Sequence, residues 1–267
     1  MATDLYLGYR GGDADTPWGK YFKPEMAALP RHVVEALEHG TQAEPTLLGF
    51  ADAASVADEG YQQTENGFGV LEDGSYQVSV RTDMPGVTPG MWAWWFGWHG
   101  SDSRRYKLWH PRAHLSAAWK DGNDASGASR YIGRWSMINE YIGSSMLSAA
   151  IQFVEPAVMG LPPDSDDAVA VCARLGSGDA PVDVGWFIHH IRSTRAGSEM
   201  RSRFWMGGSH IAVRKAPGVA SKAVRPIASR ILGNAESSGR NLLVHCAQEM
   251  NHLAGFLPEL YERFGNE

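Results

Sequence analysis

Polar and apolar residues alternate along most of the second half of the chain, and the period changes only near its end. YQVSVRT, beginning at Tyr76, reads as a half-buried strand. Six further runs bounded by turn signals follow: HLSAAWK (114–120), GRWSMINEYIG (133–143), LSAAIQFVEP (147–156), AVAVCARLG (168–176), VDVGWFIHHIRST (182–194) and SEMRSRFWMGGSHIAV (198–213). The connectors DGNDASGAS and LPPDSDD carry the Gly, Pro, Asp and Ser that hairpin loops require. PGMWAWWFGW predicts a helix begun after Pro89, and a long helical pattern runs from about Ser237 to Phe264. Upstream, PEMAALP and RHVVEALEHG read as short helices split by Pro30, and LLGFADAASVADEG as another ending on Gly60. The texture changes near residue 73, which predicts a small helical N-terminal domain (1–73) and a larger domain (74–267).

A strand, a helical segment, a meander of about six strands and one long C-terminal helix form a specific order. It predicts an α+β, Bet v 1-like helix-grip fold, in which a curved antiparallel sheet is closed by the last helix. Such a fold encloses a cavity suited to apolar small molecules, although fold alone does not settle function. Composition narrows the classes. With 24 Lys+Arg against 30 Asp+Glu the formal charge is −6, which argues against a dedicated nucleic-acid binder. At 43% hydrophobic and 20% charged the chain is too apolar for disorder. It has no run of about 18 apolar residues to span a membrane. MATDLYLGYRGGD lacks the basic-then-apolar layout of a secretory signal, and Cys172 and Cys246 form no CxxC pair. A cytoplasmic protein is the expectation.

Chemistry concentrates in the last helix. LLVHCAQEMNHLAGF places His245 and Glu249 one turn apart on one face, beside the apolar positions Leu242, Cys246, Leu253 and Phe256. A random HxxxE is more often an exposed i,i+4 pair. Facing inward, however, it is a two-ligand platform for a divalent ion. Glu140 lies in the strand-like SMINEYIG and needs a partner if it faces the cavity. If 114–120 and 133–141 form a hairpin in which opposed residues sum to about 254, Trp119 faces Trp135 and His114 faces Glu140. His114 is then the preferred ligand. His110, beside the interrupting Pro111, remains the alternative or a pocket residue. Two His and two Glu suit zinc, with iron or manganese compatible.

These residues resemble a known family. RRYKLWHPRAH (104–114), the strand Glu of INEYIG, the HHIR and EMRSRFW strands and the terminal HCAQE are similar to the 2,4-diacetylphloroglucinol and phloretin hydrolases. The resemblance implies a zinc-dependent hydrolase cleaving the carbon–carbon bond between an acyl group and a polyhydroxylated ring. It implies one zinc on His114, Glu140, His245 and Glu249, a homodimer, and Tyr106 hydrogen-bonded to a substrate phenol. The asparagine expected shortly after the first His ligand is Ala117 here.

Other residues carry two readings. Adjacent His189 and His190 point to opposite faces of their strand, so only one enters the cavity. Glu199, Arg201, Arg203 and Trp205 share a face. They form either an exposed salt-bridged surface or a place where Arg203, Trp205 and one His steady a phenolate or departing acid. Trp92, Trp94, Trp95 and Trp98 are core or the wall of an aromatic site, with Trp95 the candidate for substrate contact. His110 and one of His189 or His190 are candidate proton shuttles. The function expected is thus hydrolysis of a small aromatic ketone. The alternatives are another metal-dependent reaction on a polyketide-derived aromatic (retro-Claisen, cyclisation or decarboxylation) and a non-catalytic aromatic-ligand carrier.

Overall fold

The computed structural model describes residues 7–122 and 131–266. In chain order the strands are β1 (Gly67–Val70), β2 (Tyr76–Pro85), β3 (His114–Trp119), β4 (Trp135–Ile142), β5 (Ser145–Val154), β6 (Ala168–Ser177), β7 (Val182–Thr194), β8 (Gly197–Met206) and the short β9 (Ala212–Val213). The helices are α1 (Arg31–His39), α2 (Pro89–Trp98), α3 (Ser103–Trp109), α4 (Gly218–Leu232), α5 (Ala235–Ala254) and α6 (Leu257–Phe264). One antiparallel sheet runs in the order β1-β2-β8-β7-β6-β5-β4-β3, with β9 added to β7. Helices α2, α3 and α5 cover one face of it, the helix-grip, Bet v 1-like arrangement.

The strand register sorts side chains onto two faces. Phe153, Ala173, Phe187, Phe204 and Val78 form a cross-strand row on the helix-covered, concave face, and all are buried. The adjacent row, Gln152, Arg174, Trp186, Trp205 and Gln77, points to the convex face. The convex face has a smaller core of its own. There Leu48, Ala53 and Val56 pack on Cys172, Ile188 and Trp205. Helix α5 closes on β1 and β2 at Gly239, where a Cβ would stand 3.3 Å from Phe68.

Several expectations shift. Residues 24–30 are not helical, because Pro24 and Pro30 bracket too few residues to sustain a turn; α1 starts only after Pro30. The 47–60 segment is a 3₁₀ turn at Phe50–Ala57. The long terminal helix is two, α5 and α6, broken at Phe256, whose φ of −142° leaves the helix before Pro258 starts the next. The residue 73 division falls in the turn joining β1 to β2. Trp18, Tyr21 and Val33 from the N-terminal part join the main core. The DGNDASGAS connector lies in 121–129, of which 123–129 are outside the described residues. β1, α3 and α4 have no counterpart in the sequence reading.

Candidate metal centre and active site

Helix α3 ends at His110, and a tight turn returns the chain to β3, with His114 N donating to His110 O at 2.9 Å. Pro111 sits inside that turn. His114 opposes Glu140, as the hairpin register predicts. A bulge between His114 and Ser116 then shifts the pairing by one, so Trp119 meets Ser136 rather than Trp135. The extra residue aims His114 inward, and α5 brings His245 and Glu249 from the opposite side.

The cluster is a convergence of acceptors. His114 Nδ1 lies 3.0 Å from Tyr106 O. A carbonyl only accepts, so Nδ1 carries the proton and Nε2 presents a lone pair. That Nε2 is buried without a hydrogen-bond partner, 3.3 Å from Glu249 Oε2 and 3.4 Å from Glu140 Oε2. His245 Nε2 lies 3.7 Å from the same two oxygens. The ligand atoms of His114, His245 and Glu249 all fall within 4.8 Å of one another. The Tyr106 hydroxyl donates to Glu140 Oε2, and its ring stacks on His114 at 3.8 Å and 5°.

Burial sets the electrostatics. It pushes the Glu140 carboxyl up to about 7, opposed by the Tyr106 hydrogen bond. Burial, with Glu140 adding, pushes Glu249 well above its ordinary value. Both imidazoles are pushed well below theirs, His114 by burial and by His245, His245 by burial and by His110. An unpartnered imidazole nitrogen facing buried carboxylates is costly unless a cation sits between them. Two neutral imidazoles and two carboxylates are also the donor set a zinc-type divalent ion takes. The residues fit the ion.

The sequence matches the family described as the DAPG hydrolase PhiG domain over residues 47–262. The chain belongs to this family. A 2,4-diacetylphloroglucinol hydrolase from Pseudomonas sp is 32% identical over 275 residues, covering 98% of this chain and 92% of that protein. Phloretin hydrolase from Eubacterium ramulus is 26% identical over 258 residues, covering 91% of this chain and 88% of that protein. Among solved structures, that of Ara h 8.0201 shares 9% identity, covers 64% of this chain and 99% of that chain, and has a TM-score of 0.34. The stretch matched by the DAPG hydrolase family contains His114, Glu140, His245 and Glu249.

The remaining candidates separate by face. His110 stacks on His245 at 4.8 Å, behind it rather than between the carboxylates; burial lowers it to about 4, and its Nδ1 has no partner. His189 is on the concave side, bonded through Nδ1 to Ser202 Oγ at 2.7 Å and held neutral by burial, which lowers it to about 3. Phe96 and His99 stand in ring contact between His189 and Tyr106. Trp95 is fully buried, stacked on His99.

Two substrate-contact expectations are corrected, and of the two adjacent histidines it is His189 that takes the concave side. Arg203, Trp205 and His190 face the convex side, away from the cluster. Strand alternation sends them there with Arg201, and the 48–65 segment covers them. Arg203 donates to Glu65 Oε2 at 2.6 Å, Arg201 to Glu65 Oε1 at 2.7 Å, and Trp205 Nε1 to Leu48 O at 2.8 Å. The Glu199–Arg203 face is therefore neither an exposed surface nor a substrate wall but a buried ion network. Its key carboxylate, Glu65, gave no sequence signal, because it lies in an irregular segment far from β8. His99, stacked beneath Tyr106, was also missed. Its place at the end of the Trp-rich helix was the available hint.

Proposed function

We propose that this protein is a zinc-dependent hydrolase that cleaves the carbon–carbon bond between an acyl group and a polyhydroxylated aromatic ring. Water is consumed, and the products are the deacylated phenol and a carboxylic acid. The carrying observation is the convergence of the His114 and His245 Nε2 atoms on Glu140 and Glu249, inside a chain of the DAPG hydrolase family. His114, His245, Glu249 and Glu140 would hold the ion. When bound, such an ion polarises a carbonyl and makes water nucleophilic near neutral pH.

The protein's own groups supply the rest. An acyl–aryl bond is inert until the ring carbon bearing the acyl group is protonated, which turns the phenol into a ketone tautomer. Attack of water's oxygen on the acyl carbon then breaks the bond, and its electron pair returns to the ring. Tyr106, at the edge of the cluster, orients a ring hydroxyl. His110, uncharged and with an open nitrogen beside His245, delivers or collects the proton. His189 lies deeper and supports this role less directly. No helix among the described residues is long and apolar enough to cross a membrane. A cytoplasmic homodimer accompanies the reading as a family expectation, and sedimentation would test the dimer.

Metal content tests the assignment. Elemental analysis should find about one zinc per chain in the wild type and none in Glu249→Ala or His114→Ala. His110→Ala should keep the metal and lose rate. Full occupancy in Glu249→Ala, or metal loss confined to His110→Ala, would overturn the ligand set.

A further inference from the structure

On the convex face, remote from the acceptor cluster, the cross-strand row Gln152, Arg174 and Trp186 floors an open groove of about 610 Å³. Phe50, its ring 5.7 Å from Trp186 and 5.0 Å from His210, joins the 209–215 segment along the rim. The volume is that of a small-molecule pocket.

The charges on this groove are fixed and unbalanced. Arg174 lies over Trp186 at 4.5 Å and is tied to Asp183 at 3.5 Å. Arg214 is bound to the same Asp183 at 2.6 Å and holds Ser177 O and Val182 O as well. Gly176 makes room for that guanidinium, since a Cβ there would overlap it. Two arginines thus share one carboxylate. Lys215 adds a third positive charge, exposed and without an ion-pair partner among the described residues. Its φ of 56° is the one left-handed non-glycine backbone among the described residues, an outlier of the kind that marks positions held for function. A guanidinium–indole stack at the floor and a surplus of cations at the rim select a ligand that is flat and anionic.

We propose that this groove is a second ligand site, for a small planar aromatic carboxylate whose ring packs on the Arg174–Trp186 stack and whose carboxylate meets Lys215. It is independent of the reaction proposed for the concave site. The test uses protein carrying 5-fluorotryptophan, with the Trp186 resonance assigned from Trp186→Phe and 4-hydroxybenzoate as probe. The Trp186 signal should shift saturably with 4-hydroxybenzoate and not with the neutral 4-hydroxybenzyl alcohol. Lys215→Gln should weaken binding by about fivefold, the upper end for one exposed charge. Glu249→Gln should leave it unchanged. An unmoved Trp186 signal, an equal response to the alcohol, unaltered binding by Lys215→Gln, or loss of binding in Glu249→Gln would each overturn the proposal.

Discussion

Glu140→Gln isolates the electrostatic cost of the acceptor cluster. In the metal-free protein, burial raises the Glu140 carboxyl from its ordinary 4.5 to about 7. A folded value above the unfolded one means that the native state holds the proton more tightly. The stabilisation is therefore complete below the unfolded value and is lost as pH rises through the folded one. At 1.36 kcal/mol per pH unit, this shift corresponds to about 3 kcal/mol. Glutamine keeps the shape, accepts from the Tyr106 hydroxyl and cannot ionise. Metal-stripped Glu140→Gln should match the wild type near about pH 4 and exceed it by about 3 kcal/mol near about pH 8. Glu249, raised by burial and by Glu140, pushes in the same direction. Urea unfolding with a chelator present, followed across this range, measures the difference between the two proteins. Zinc should reverse the order at the higher pH, because only ionised carboxylates bind it. A difference that does not change with pH, or a variant less stable than the wild type near about pH 8, would refute the reasoning.

The convex ion network and Tyr106 give two further predictions. Glu65→Gln leaves the fully buried Arg201 and Arg203 without their shared carboxylate and should cost about 3–5 kcal/mol in urea unfolding. Metal content should not change, and a loss below ~1 kcal/mol would show that the network contributes little. Tyr106→Phe keeps the ring stacked on His114 but removes one donor, worth about 1–3 kcal/mol. Catalytic efficiency should fall roughly 5- to 150-fold with zinc content unchanged; unaltered kinetics would remove Tyr106 from the reaction.

Period and turn chemistry made much of this legible. β7 occupies 182–194, the span its alternation predicts, and α2 starts at Pro89 with its Thr88 cap accepting from Met91 N. The opposition of His114 and Glu140 was readable from a hairpin sum. The bulge after His114 was not, because an extra residue leaves no mark in a composition of Leu, Ser and Ala. Alternation also told which of Glu199, Arg201, Arg203 and Trp205 share a face. It did not tell that this face is covered, since the cover is an irregular segment more than a hundred residues upstream. The pairing of His189 with Ser202 and of His190 with Arg201 likewise depends on β7 and β8 being set in register by the Arg195–Ala196 turn. Short elements such as β1 and α3 carry too few residues for a period to show.

Product analysis bears most directly on the proposed reaction. Purified zinc-loaded protein would be incubated with 2,4,6-trihydroxyacetophenone and, separately, with acetophenone lacking the ring hydroxyls. Ring protonation needs electron release from hydroxyls ortho and para to the acyl-bearing carbon. The hydroxylated ketone should therefore give phloroglucinol and acetate in equal amounts, while the plain ketone survives. Absence of acetate from the hydroxylated ketone, or equal cleavage of both, would contradict the account.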